Sequence, residues 1–185
     1  MPANHNETYI SVDVETAGPN PAGYSMLSIG ACTVFEPIEK FYVEMQPVQE
    51  AFLPEALQIS GLRMEELREH GLPPQQAMQR FADWVKKVTA ENSKPVFVAF
   101  NAPFDWMFVN DHFHRYLGHN PFGHSALDMK AYFMGARGVS WSETGFDNVT
   151  KHYDMSHPLT HNALQDALDQ AELFRKMLEG ARKNI

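Results

Sequence analysis

The chain has 185 residues, 44% hydrophobic and 21% charged, which suits one soluble domain (residues 1–185, core about 8–178) and includes no run of the ~18 apolar residues a membrane span needs. The N-terminal MPANHNETY has neither the basic nor the apolar region of a secretory leader, and a lone cysteine excludes a disulfide framework, so a cytoplasmic protein is expected. A net charge of −8 argues against a broad basic surface, so any grip on nucleic acid should be local, short or weak.

In chain order, TYISVDVE (8–15) alternates with β-branched residues and predicts a first strand. AGPNPAGYS is a turn-rich loop, and MLSIGACTVFE and EKFYVEMQP follow as two strands joined tightly around Pro37, an antiparallel meander. Cys32, inside the second run, reads as a small core residue. From Gln49 to Glu69 the pattern turns helical, broken at Ser60–Gly61. PPQQAMQRFADWVKKV predicts a helix, with prolines at its start and Ala77, Met78, Phe81, Trp84, Val85 and Val88 at helical spacing. PVFVAF is a short buried strand leading into a helix through APFDWMFVNDHFHRYLG. SALDM is a further strand before a helix near MKAYFMG; RGVSWSETG is a loop and FDNVTKHY a short helix. HNALQDALDQAELFRKMLEGARK closes the chain as a helix with a broad apolar face. Strands first, then strands alternating with helices, predict one α/β domain with a mixed sheet covered by helices.

Against this apolar framework five residues stand out: Asp13, Glu15, Asp105, His161 and Asp166. The acids end or interrupt apolar elements, where unpaired carboxylates resist burial unless cations neutralise them. Asp13 and Glu15, two apart on a strand, share one face about 6.6 Å apart along the backbone. Asp105 opens a helix after a strand, a usual place for site residues. His161 precedes Asp166 by five residues, so the two do not stack on one helical stripe; from a position before the helix start, His161 would overhang the same site. An all-oxygen acid set favours Mg²⁺ or Mn²⁺ over zinc. Taken singly, each motif also fits a strand end, a helix start or a solvated stripe; their order and context together favour a site.

DVET, NAPFD and HNALQD resemble the three motifs of the DEDDh (DnaQ-like) 3′–5′ exonucleases, which include polymerase proofreading subunits and ribonuclease T, with the likeness running from Thr8 to about Leu178. The resemblance implies a ribonuclease H-like mixed five-stranded sheet, its first three strands antiparallel, flanked by helices. It also implies two divalent cations, Mg²⁺ or Mn²⁺, held by Asp13, Glu15, Asp105 and Asp166, with His161 taking the proton from the attacking water. Thr16 and Ala17 would meet the terminal nucleotide, partly through backbone N–H groups, and Asn101 and Phe104 would line its pocket. The implied reaction releases nucleoside 5′-monophosphates from 3′ ends of single-stranded DNA or RNA. A homodimer is a further implication, since a partner could supply positive surface that an acidic chain lacks. Two other readings stay open: a non-catalytic exonuclease-fold subunit of a polymerase or repair complex, and a metal-dependent phosphomonoesterase or nucleotide hydrolase. Outside the five residues, Trp106 is expected to be packed, Trp141 is a possible base platform, and His112, His114, His119 and His124 are expected at the surface.

Overall fold

The computed structural model describes residues 6–155 and 160–182, so both ends of the 1–185 span and the last expected helical residue, Lys183, lie outside the described residues. Five strands form one sheet in the order β3-β2-β1-β4-β5. β1 (Glu7–Thr16), β2 (Met26–Thr33) and β3 (Lys40–Glu44) make the expected antiparallel meander. On the other side of β1, β4 (Lys94–Ala99) and β5 (Ala126–Asp128) add in parallel. The helices α1 (Pro54–Ser60), α2 (Met64–His70) and α3 (Pro74–Val88) lie between β3 and β4, and α4 (Ala102–Leu117) connects β4 to β5. After β5 come α5 (Met129–Arg137), a short 3₁₀ turn (Trp141–Glu143), α6 (Phe146–His152) and α7 (Ala163–Arg182). The helical break expected at Ser60–Gly61 is the end of α1, where Gly61 adopts a left-handed φ of 69°.

Strand alternation sends the two faces of β1 to different cores. Ile10, Val12 and Val14 join Phe81, Phe97, Phe108 and Phe113 beneath α3 and α4. Ser11, Asp13 and Glu15 point to the opposite face, which α7 covers, so the same-face placement expected for the two acids is what the strand produces. On that face β2 presents Ser28, Gly30 and Cys32, and α7 answers with Ala163, Ala167 and Ala171, all buried. Small residues on both sides let the helix lie close to the sheet: the Cys32 thiol reaches the Ala167 carbonyl at 3.5 Å. A Cβ on Gly30 would come within 2.1 Å of the Ala163 backbone. Further along, Phe174 and Met177 pack with Val98 and Met129 in the second core.

Two expectations need correction. His112 is not a surface residue but is buried in α4, its Nδ1–H donating to the Phe108 carbonyl at 2.9 Å; burial lowers its pKa, which suits the neutral ring. The segment read as a loop at 137–145 contains the 3₁₀ turn, closed by Ser140 and Glu143, each capping the other. His114, His119 and His124 are exposed as expected.

Candidate active site

A cleft of about 160 Å³ opens where β1 and β4 reach their C-terminal ends, and Asp13, Glu15, Asn101, Phe104, Asp105, His161, Asp166 and Gln170 line it together with Val14, Phe100 and Phe146. All five motif residues therefore meet in one place. Oxygen atoms of Asp13, Glu15 and Asp166 lie within 4.8 Å of one another. Asp105 lines the same cleft but stands outside that tight trio.

Asp105, Asp166 and Asp13 are each held by hydrogen bonds from their surroundings. β1 pairs with β4 only from Glu7 to Ser11, so the N–H of Val14 extends past its partner strand. Asp105 Oδ1 accepts it at 3.1 Å, which fixes the first turn of α4 against β1. The turn into α4 passes through Asn101 at a left-handed φ of 64°, and the N–H of Ala102 donates to Asp128 Oδ1 at 3.0 Å. Asp128, which also caps α5, was not singled out from sequence; its position ahead of a helix is the signal that fits a cap. Asp166 gathers the segment before its own helix: Oδ1 accepts from the N–H and hydroxyl of Thr160, each at 2.8 Å, and Oδ2 from the N–H of His161 at 2.9 Å. His161 precedes α7, with φ at 55°, and overhangs the cleft from that position. Gln170, one turn after Asp166 on the same face of α7, donates to Asp13 Oδ1 at 2.8 Å. In the sequence it reads as one more polar helix residue, and only the fold distinguishes it.

Thr16 and Ala17 do not line the cleft among the described residues. The Thr16 hydroxyl donates to the Gly18 carbonyl at 2.9 Å, and the N–H of Ala17 donates to Ser25 at 2.8 Å. Both residues are buried, and the expected backbone donor at Ala17 is already committed to the loop. Trp106 is packed edge-on against Phe97, while Trp141 is 53% exposed with Lys130 Nζ 4.5 Å from its ring centroid.

The electrostatics of the cleft ask for a cation. No lysine or arginine is among the described residues lining it. Burial, and then the charge of Asp166, push Asp13 up to about 8, with the Gln170 amide pulling the other way. Glu15 is likewise pushed up to about 8, by burial and then by the charges of Asp13 and Asp166. Asp105 is held well above the ordinary carboxylate range by burial and the charge of Asp13, against which the Val14 N–H works. Three carboxylates within reach of one ion, all oxygen donors and without a basic partner, fit a hard divalent cation.

The chain matches the RNase T exonuclease family model over residues 10–174, and it belongs to this exonuclease family. It is 48% identical over 169 residues to the 3′-5′ DNA exonuclease Cap18 of Escherichia coli, covering 91% of this chain and 90% of that protein. It is also 31% identical over 180 residues to ribonuclease T of Vibrio campbellii, covering 89% and 82%. Among solved structures, the nuclease domain of 3′hExo, a DEDDh family member bound to rAMP, superposes with a TM-score of 0.81 at 15% identity, covering 96% of this chain and 94% of that one. Exonuclease I of E. coli with a dT13 oligonucleotide gives 0.74 at 19% identity; this chain spans 97% of its own length but 42% of that enzyme. At those identities the likeness is one of fold, and it is the ribonuclease H-like exonuclease fold expected from the sequence.

Proposed function

We propose that this chain is a metal-dependent 3′–5′ exonuclease that removes nucleoside 5′-monophosphates from single-stranded DNA ends. The observation that carries the reading is the convergence of Asp13, Glu15 and Asp166 within 4.8 Å on a cleft wall that also bears His161. DNA is favoured over RNA because the relative of 48% identity is named a DNA exonuclease, whereas the ribonuclease T relatives stand at 31% or below.

Asp13, Glu15 and Asp166 would hold one divalent cation, and Asp13 with Asp105 a second, Mg²⁺ or Mn²⁺ in both places. Bound there, such ions supply a polarised phosphate and a water of lowered pKa. The protein does the rest. His161, presented from the segment before α7 and tethered through its own N–H to Asp166, takes the water's proton. Asn101 and Phe104, both lining the cleft, receive the sugar and base of the terminal nucleotide. The small cleft, about 160 Å³, fits a frayed or single-stranded end, and a homodimer would set lysines and arginines of a second copy, itself also of net charge −8, beside it. Among the described residues no helix is long and apolar enough to cross a membrane, and the single buried thiol of Cys32 fits a reducing cytoplasm.

The test uses oligonucleotides labelled at either end, of DNA and of RNA, with Mg²⁺, Mn²⁺ or EDTA. Stepwise release of 5′-monophosphates from the 3′ end, lost with EDTA and with Asp13→Ala, is expected, and DNA should be degraded faster. Internal cuts, or cleavage indifferent to chelation, would overturn the proposal.

A further inference from the structure

Gln170 carries a polar side chain in a place where a buried helix face would ordinarily be apolar. It is 2% exposed, and both ends of its amide are spent at the wall of the cleft. Nε2 donates to Asp13 Oδ1 at 2.8 Å, and Oε1 accepts the backbone N–H of Phe100 at 2.8 Å. The orientation of the amide is dictated by its partners: a backbone N–H requires an acceptor, and a carboxylate oxygen accepts. One side chain thereby ties three segments together. These are α7, which carries Asp166; β1, which carries Asp13 and Glu15; and the end of β4, where Phe100 and Asn101 turn the chain towards Asp105.

We propose that Gln170 is a positioning residue for the cation-binding acids, resting on the exonuclease reading that places a cation at Asp13. Asp13 sits on a strand and could turn about its Cβ–Cγ bond; an amide clamped from behind by the Phe100 N–H holds Oδ1 and fixes the plane of the carboxylate. The carboxylate is thereby held in place beside Glu15 and Asp166, with which it forms the trio. No near substitute does this. Asparagine is one methylene too short to reach both partners, and glutamate has no proton to give and adds a fifth carboxylate to the trio and Asp105. Leucine keeps roughly the volume but leaves two buried polar groups without their partner. Outer groups of this kind govern ligand orientation, and their loss typically lowers metal affinity by about 10–100-fold.

The experiment measures Mn²⁺ binding to the full chain by calorimetry, without nucleic acid, in the wild type and Gln170→Leu. The Mn²⁺ dissociation constant is expected to rise about tenfold or more. At saturating Mn²⁺ part of the lost exonuclease activity should return, as weakened ion binding predicts and a packing defect alone does not. A lower melting temperature with unchanged Mn²⁺ affinity would show a packing role only and overturn the proposal. Should Gln170→Leu fail to fold, the side-chain amide resonances of Gln170 in the wild type decide it. Slow exchange with solvent and a shift on adding Mg²⁺ support the clamp, and resonances indifferent to Mg²⁺ refute it. If the wild type binds Mn²⁺ more tightly than Gln170→Leu yet degrades no 3′ end, the exonuclease reading fails while the clamp on the cation-binding acids stands.

Discussion

Asp13 and Gly30 face each other across the β1–β2 ladder, and Gly30 has no side chain at the point where the first turn of α7 crosses the sheet. A methyl group there would sit 2.1–2.2 Å from the backbone of Ala163 and Leu164. The helix would have to lift, and Asp166 and Gln170 would lift with it. Gly30→Ala is therefore expected to cost about 2 kcal/mol or more, at the upper end of what overpacking does in a rigid core. Activity should fall further than the loss of folded protein explains. Urea unfolding alongside specific activity per folded molecule checks both, and a stable, fully active variant would contradict the close approach.

The raised acids make a prediction about pH. Folded Asp13 and Glu15 hold their protons up to about 8, whereas the ordinary values are 3.8 and 4.5. Between about pH 4 and 8 the native state thus binds more protons than the unfolded chain, and the metal-free protein should lose stability as pH rises through that window. Each extra proton held by the native state is worth about 1.4 kcal/mol per pH unit. A divalent cation replaces those protons, so its stabilising effect should grow over the same range. Melting temperatures at pH 5, 6.5 and 8, with EDTA and with Mg²⁺, are expected to diverge as pH increases. A metal-free protein most stable at pH 8 would oppose this account of the cleft.

How far the sequence exposes all this varies with the physics involved. The strands and helices were readable because apolar periodicity alternates cleanly, and the placement of Asp13 and Glu15 on one face followed from strand geometry alone. The position of His161 before the helix was one of two options, and the carboxylate of Asp166 selects it by capturing the two preceding N–H groups. Other features depend on tertiary contacts that leave no local mark. Asp105 is anchored only because β1 runs past the end of its pairing with β4, exposing the Val14 N–H. His112 looks polar on a helix, but its ring is satisfied by a carbonyl one turn back and so tolerates burial. Gly30 looks like any small residue in MLSIGACT until α7 lies across it. Trp141, by contrast, keeps the exposure that a platform for bases would need.

For His161 the backbone constrains the choice of variant. Its φ of 55° suits few residues, and alanine there would confuse strain with chemistry. Asparagine tolerates that conformation and keeps the N–H that Asp166 accepts, while removing the imidazole. His161→Asn is expected to lower kcat by about 10²–10⁴-fold, the usual worth of a positioned general base. Mn²⁺ affinity should remain within about twofold of the wild type, since the imidazole is given no place among the oxygen ligands. Collapse of metal binding would instead make the histidine a ligand.

Asn101 offers a way to separate conformation from contact. It holds a left-handed φ of 64° at the start of α4, its side chain makes no cap to the helix, and it lines the cleft. Glycine adopts that conformation freely, so Asn101→Gly should leave stability within about 1 kcal/mol of the wild type. Alanine must enter the same region with a Cβ and without a side chain that bonds locally, which costs about 1–2 kcal/mol. If the asparagine amide meets the terminal nucleotide, both variants raise KM for an oligonucleotide by a similar factor although their stabilities differ. If its part is only to shape the turn, KM tracks stability: the glycine variant is near normal and the alanine variant impaired. We expect the first pattern, because Asn101 lines the cleft while its side chain makes no cap bond to the helix, and steady-state kinetics with the melting curve of each variant distinguish the two.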